Sequence, residues 1–192
     1  MRIRNILLLI VSFFTLAACG SGDYSPKPQA YLRIDTPKTT YSLYDSLPFA
    51  FEKNDAAGLT LKKNSPHEVW VDLQYPQWDG VVFLTYKQLH SSKDLRGQTD
   101  TSSRLLEQHY QFASGIDEQV FESDDHTVHA VKWHLKGKNV ASTYQFYATD
   151  SLHHFLRGAV YINHTPNNDS LAPVLEYMHR DVDHLIETLR WR

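Results

Sequence analysis

ASTYQFYATDSLHHFLRGAVYINHTPNNDSLAP, residues Ala141 to Pro173, carries the densest pattern in the chain. Tyr144, Phe146 and Ala148 alternate with Gln145, Tyr147 and Thr149, the period of two that a strand shows when one face is packed and the other is wetter. Leu156, Val160 and Ile162 repeat the pattern, and the short polar Asp150-Ser151-Leu152-His153 between the two runs predicts a hairpin. Thr165-Pro166-Asn167-Asn168-Asp169-Ser170 then gathers turn formers and helix-capping types ahead of Pro173, which a first helical turn tolerates. A strand pair feeding a helix is architecture and assigns no chemistry.

Upstream of this hairpin, Val69, Val71, Leu73 and Tyr75 alternate with Glu68, Trp70, Asp72 and Gln74. After Pro76-Gln77-Trp78-Asp79-Gly80 the run Val81 to Tyr86 makes a second hairpin. Tyr31 to Ile34, Tyr41 to Tyr44 and Leu47 to Glu52 read as short strands, and Asn54 to Ser65 as loop with room for a small strand at Leu59 to Leu61. Asp100 or Thr101 caps a helix running to about Ser114, with Leu105, Leu106, His109, Tyr110 and Ala113 at helical spacing and Gly115 as its stop. Strands Glu118 to Glu122 and Val128 to Leu135 follow. A closing helix, about Leu171 to Arg190, puts Leu171, Val174, Leu175, Met178, Val182, Leu185, Ile186 and Leu189 on one stripe that must lie on a sheet. The order predicts an α+β fold: a single mainly antiparallel sheet packed against two helices, loosely like the Mog1 and PsbP-type sandwich in element order. Helices between successive strands, which a parallel sheet needs, are missing.

The 192 residues, 42% hydrophobic and 12% aromatic, suffice for one domain with a sizeable core. Arg2 and Arg4, the apolar run Ile6 to Leu16, and Leu16-Ala17-Ala18-Cys19 read as a signal peptide over residues 1–18 ending in a lipobox-like site. Cys19, the single cysteine, is then acylated and becomes the first mature residue. Two or three acyl chains anchor essentially permanently, so the chain is held by lipid and does not span the membrane. Residues 19–30 form a lipidated tether and 31–192 a single α+β domain. Gly20 to Pro28 reaches at most roughly 30 Å, which keeps that domain close to its own bilayer. Removing Arg2 and Arg4 takes the 19 basic residues to 17 against 22 acidic, a net charge of −5, with no basic run; nothing points to nucleic acid.

Several groups invite a chemical reading. His153-His154 beside Asp150 resembles an acid–base pair, but consecutive strand residues point to opposite faces. His126, His129 and His134 near Asp124 and Asp125 are spaced by three and five along a strand and do not converge on one face, while His179 and His184 are five apart on the last helix. No phosphate loop, serine elbow or zinc-protease motif occurs, so no catalytic residue, metal or cofactor is assigned. Trp70, Trp78, Trp133 and Trp191 read as core or rim packing. The outward face of the central hairpin, Tyr147, Arg157, Tyr161 and Asn163, combines the aromatic and cationic types enriched at interaction hot spots. The competing reading is that a helix covers it.

The wording of several segments resembles the gliding-motility lipoprotein D family (GldD) of Bacteroidota. The resemblance rests on YSPKP at Tyr24 to Pro28 followed by Tyr31-Leu32-Arg33-Ile34, LPFAFE at Leu47 to Glu52, and QFYATDS at Gln145 to Ser151. It continues through HFLRGAVYIN at His154 to Asn163, PNNDSLAP at Pro166 to Pro173 and LIETLRW at Leu185 to Trp191. It implies a membrane-anchored envelope lipoprotein with its domain in the periplasm, at the inner or the outer membrane, needed for gliding and the linked type IX secretion machinery. Its partners would be the membrane and other gliding or secretion proteins of the envelope. The expected role is a scaffold or stabilising partner acting by protein contact; the alternatives are a tethered periplasmic hydrolase and a small-ligand carrier. Replacing Cys19 with Ala is expected to leave the leader uncut or the protein soluble. Entry of labelled palmitate into that variant would contradict the lipid assignment.

Overall fold

A computed structural model describes residues 34–192. The leader, Cys19, the tether and positions 31–33 of the first strand candidate lie outside them, and Ile34 belongs to no strand. In chain order the strands are β1 (Tyr41–Tyr44), β2 (Phe49–Asn54), β3 (Gly58–Ser65), β4 (Glu68–Tyr75) and β5 (Gly80–Gln88). Helix α1 (Ser92–Glu107) follows, then β6 (Gly115–Glu122), β7 (His129–Lys136), β8 (Ser142–Thr149), β9 (His154–Ile162), α2 (Asn168–Thr188) and β10 (Arg190–Trp191).

The alternating runs pair as expected, antiparallel throughout, and β3-β4-β5-β9-β8-β7-β6 form a seven-stranded sheet in that spatial order. The expectation of a single sheet is corrected: β1, β2 and β10 form a second, three-stranded one. Phe49 and Phe51 on β2 are wholly buried, and Phe49 stacks 5.6 Å from the Tyr86 ring of β5. The small sheet therefore lies against a face of the large sheet and does not extend its edge.

Two helix boundaries also differ from expectation. Helix α1 starts at Ser92, because Ser91 caps it: its Oγ accepts the Asp94 N–H at 3.2 Å while the Asp94 carboxylate accepts the His90 N–H at 2.9 Å. Its last residue is Glu107, and a 3₁₀ turn, Tyr110–Phe112, separates it from β6. Helix α2 begins at Asn168, which leaves Pro173 in its second turn. Among the described residues no helix is long and apolar enough to cross a membrane.

One face of the large sheet, here the inner face, carries Val71, Leu73, Leu84, Tyr86, Leu156, Val160 and Phe146. It buries them against Val174, Tyr177, Met178, Val182, Leu185 and Ile186 of α2 and against the small sheet. A carboxylate inside this layer joins its parts. Asp181 of α2 accepts from Tyr75 OH at 2.8 Å, Asn54 Nδ2 at 2.7 Å and Tyr41 OH at 3.0 Å, and Asn54 Nδ2 also donates to Tyr177 OH at 2.7 Å. Burial holds this carboxyl above the ordinary aspartate range in spite of its three donors.

Gly158 is required by packing. It pairs with Phe146 across β8 and β9, and a Cβ there would overlap the Phe146 ring. Gly158→Ala is expected to destabilise the fold by about 1–3 kcal/mol, the usual cost of overfilling a packed core, and to lower the urea midpoint accordingly. An unchanged midpoint would contradict this packing.

Candidate interaction surface

The register of the seven strands fixes which side chains share the outer face. One row across it reads Val120, Val131, Tyr147, Arg157, Thr85, Trp70, Lys63; the next reads Glu118, Trp133, Gln145, Ala159, Phe83, Asp72, Thr60. Helix α1 covers the half of this face formed by β7 and β8, where Leu106 packs with Trp133, Leu135, Val140 and Tyr147. Gln145 and Thr149 are therefore buried and not wet as the alternation alone suggests.

Tyr147, Arg157 and Tyr161 lie on this common face, and Asn163 continues their side just past the end of β9. They divide between its covered and open parts. Tyr147 stacks 5.3 Å from Phe155 beside Trp133. Arg157 donates to Gln145 Oε1 at 3.0 Å, and among the described residues no acid pairs with it. Tyr161 stands at the border, its ring 5.6 Å from Phe83 on one side and 6.3 Å from His109 on the other. Asn163 is exposed and donates from Nδ2 to Asp79 Oδ1 at 3.2 Å.

The open half, over β4 and β5, holds what the sequence reading missed. Trp70 is 44% and Phe83 41% exposed, high for large apolar side chains in the middle of a sheet. The available signal was the position of Trp70 among Glu68, Asp72 and Gln74, on the polar side of its strand. Trp133 alone of the four tryptophans is buried; Trp78 packs on Tyr177 and Trp191 stacks on His154. Next to Phe83 a cleft of about 390 Å³ is lined by Asp72, Gln74, Asp79 and Asn163 among others. Along the upper rim Lys63 and Lys87 both bind Glu68, holding its carboxyl down at about 2, and Lys63 also sits 5.1 Å from the Trp70 ring centre.

The histidine groups have structural partners. Asp150 Oδ1 accepts the N–H groups of Leu152, His153 and His154, fixing the hairpin turn. His154 stacks on Trp191 and shares a hydrogen bond with Tyr86 OH, whereas His153 is exposed. His126 reaches Glu122 at 2.6 Å, and His184 bonds Glu52 while stacking on Tyr41. A polar cluster lies under α2: Asp183 Oδ1 accepts from Lys132 Nζ and Tyr144 OH, each at 2.7 Å, and His179 bonds Thr143 at 2.9 Å with the His134 ring 5.5 Å away. Burial raises the Tyr144 hydroxyl far above its ordinary value and takes His179 down to about 4, so neither is poised for proton transfer near neutral pH. Among the described residues no group of His, Cys, Asp or Glu is arranged to hold a metal ion.

A family model described as gliding motility lipoprotein GldD matches residues 21–191, nearly the whole chain. No curated protein matches it.

Burial pulls the imidazoles of His109, His134, His154 and His179 below their ordinary values. The unfolded chain protonates these rings near pH 6.5 while the folded chain resists, so stability present at neutral pH is lost as pH falls through 6.5 toward about 4. Asp181, with its raised carboxyl, acts in the opposite sense but is one group against four. The urea midpoint is expected to be lower at pH 5 than at pH 7, and His179→Gln to flatten the fall by up to about 1.4 kcal/mol per pH unit. Equal slopes for variant and parent would contradict the assignment.

Proposed function

The chain belongs to the gliding motility lipoprotein GldD family, and from that membership we propose that it is an envelope scaffold that stabilises the gliding and linked type IX secretion machinery through protein contacts. Residues 1–18 are its signal peptide, Cys19 carries the lipid, residues 19–30 are the tether, and 31–192 are one periplasmic domain held near the membrane. The likeness to Mog1 and PsbP-type sandwiches in element order belongs to the same proposal.

One observation carries it: the open half of the outer sheet face presents Trp70 and Phe83, diagonal neighbours on β4 and β5, to solvent, while the opposite face is closed by α2 and the small sheet. An aromatic patch rimmed by Lys63, Lys87, Asp72 and Asn163 has the apolar centre and polar edge of a protein interaction site. A second reading, a carrier of a small glycan, is favoured by the cleft of about 390 Å³ where Phe83 meets Asp72, Gln74, Asp79 and Asn163.

Phe83→Asp removes a ring contact with Tyr161 and sets a second acid opposite Asp72, at a cost of about 1–2 kcal/mol that leaves the domain folded. The variant lipoprotein should accumulate normally while colony spreading is lost and export of type IX cargo falls, the second readout serving in a bacterium that does not glide. Normal spreading and normal export would contradict the docking role of this face.

A further inference from the structure

Arg157 and Gln145 sit where the open half of the outer face meets the part covered by α1. Arg157 pairs with Tyr147 on one side and Thr85 on the other, and Thr85 in turn pairs with Trp70. At about 4.8 Å per strand step, the Arg157 backbone is roughly 10 Å from that of Trp70. Its side chain is half-buried, and among the described residues no carboxylate lies within ion-pair distance of it.

Gln145 is 1% exposed, and among the described residues its Nε2 is the buried side-chain polar atom left without a hydrogen-bond partner. Its orientation is fixed, because turning the amide over would set N–H against the N–H of Arg157, which donates to Oε1 at 3.0 Å. Two adjacent side chains thus offer donors without matching acceptors, and one carries a half-buried positive charge. A buried unpaired donor costs about 1–3 kcal/mol, which makes the arrangement expensive unless something fills it.

We propose that Arg157, positioned by Gln145 Oε1, is the receptor for a carboxylate presented by the partner polypeptide that docks on Trp70 and Phe83. This rests on the docking reading above and names its chemistry. A carboxylate is acceptor-only and meets a guanidinium in a charge-assisted pair, while the covered Gln145 fixes where that guanidinium stands. Charge complementarity agrees: Lys63 and Lys87 share the single acid Glu68, so the rim beside Arg157 is also positive. The partner would set an acidic side chain or chain end beside its apolar ones.

Acetyl-Phe-Asp-Phe-amide, its Phe-Asn-Phe twin and acetate alone, titrated against the full lipoprotein in detergent by calorimetry, test this. The Asp peptide should bind at least about tenfold tighter than the Asn twin. That preference should vanish in Arg157→Gln and shrink in Gln145→Met, both with urea midpoints showing a folded chain. Equal binding of the twins, absence of binding by either, or a preference surviving in Arg157→Gln would overturn the receptor. Acetate alone binding as tightly as the Asp peptide would overturn its polypeptide part. If Phe83→Asp still abolishes spreading while the twins are not discriminated, the receptor falls and the docking face stands; if Phe83→Asp is also silent, both fall.

Discussion

The carboxylate of Asp181 is the interaction on which the arrangement of layers depends. A buried acid is costly unless every oxygen is served, and here the donors come from Tyr41 of β1, Asn54 of β2 and Tyr75 of β4. One side chain of α2 thereby joins both sheets to the helix. The three layers that meet at it close the inner face of the large sheet, with Phe49, Phe51, Met178 and Val182 packed out of contact with water.

With α2 and the small sheet committed to that side, α1 is, among the described residues, the one helix left for the other. It is poorly equipped to cover a seven-stranded sheet, since Ser102 and Leu106 are its only buried residues. It shelters Gln145 and much of Tyr147 and Arg157 and leaves Trp70 and Phe83 in solvent. Exposed aromatic surface in the middle of a sheet weakens a free protein's solubility and suits one with a regular neighbour. The polar clusters elsewhere, around Asp183 with Lys132 and Tyr144 and around Asp150, are satisfied internally and hold helix and hairpin in place.

Much of this was legible in the sequence where the physics is local. Strands β4, β5, β8 and β9 declare themselves because large apolar side chains alternate with polar ones, and α2 because its stripe is continuous. β3 reads as mostly loop, with room for a small strand only at Leu59 to Leu61, because it is an edge strand whose Lys62, Lys63 and Asn64 face solvent, leaving little alternation to detect. The start of α1 is written in Ser91-Ser92-Lys93-Asp94, yet a helix that buries so little shows no strong periodicity, and the eye moves on to Leu105 and Leu106. The second sheet was illegible for a different reason. Whether Phe49 and Phe51 pair at an edge or press across a layer onto Tyr86 is decided by partners far along the chain. Of the surface residues, Tyr161 and Asn163 were legible as outward-facing and Trp70 had its polar strand neighbours as a signal, whereas the exposure of Phe83 became visible only once the reach of α1 was known.

The account turns on whether the uncovered half of the outer sheet face is occupied in the cell. Hydroxyl-radical footprinting of Trp70 and Phe83, read by mass spectrometry in intact envelopes and in the purified lipoprotein, asks this directly. Both residues should oxidise readily when the protein is alone and be protected in the envelope, with Leu152, exposed on a distant turn, reacting alike in the two. Equal oxidation of Trp70 and Phe83 in both settings would contradict a protein that works by contact through this face.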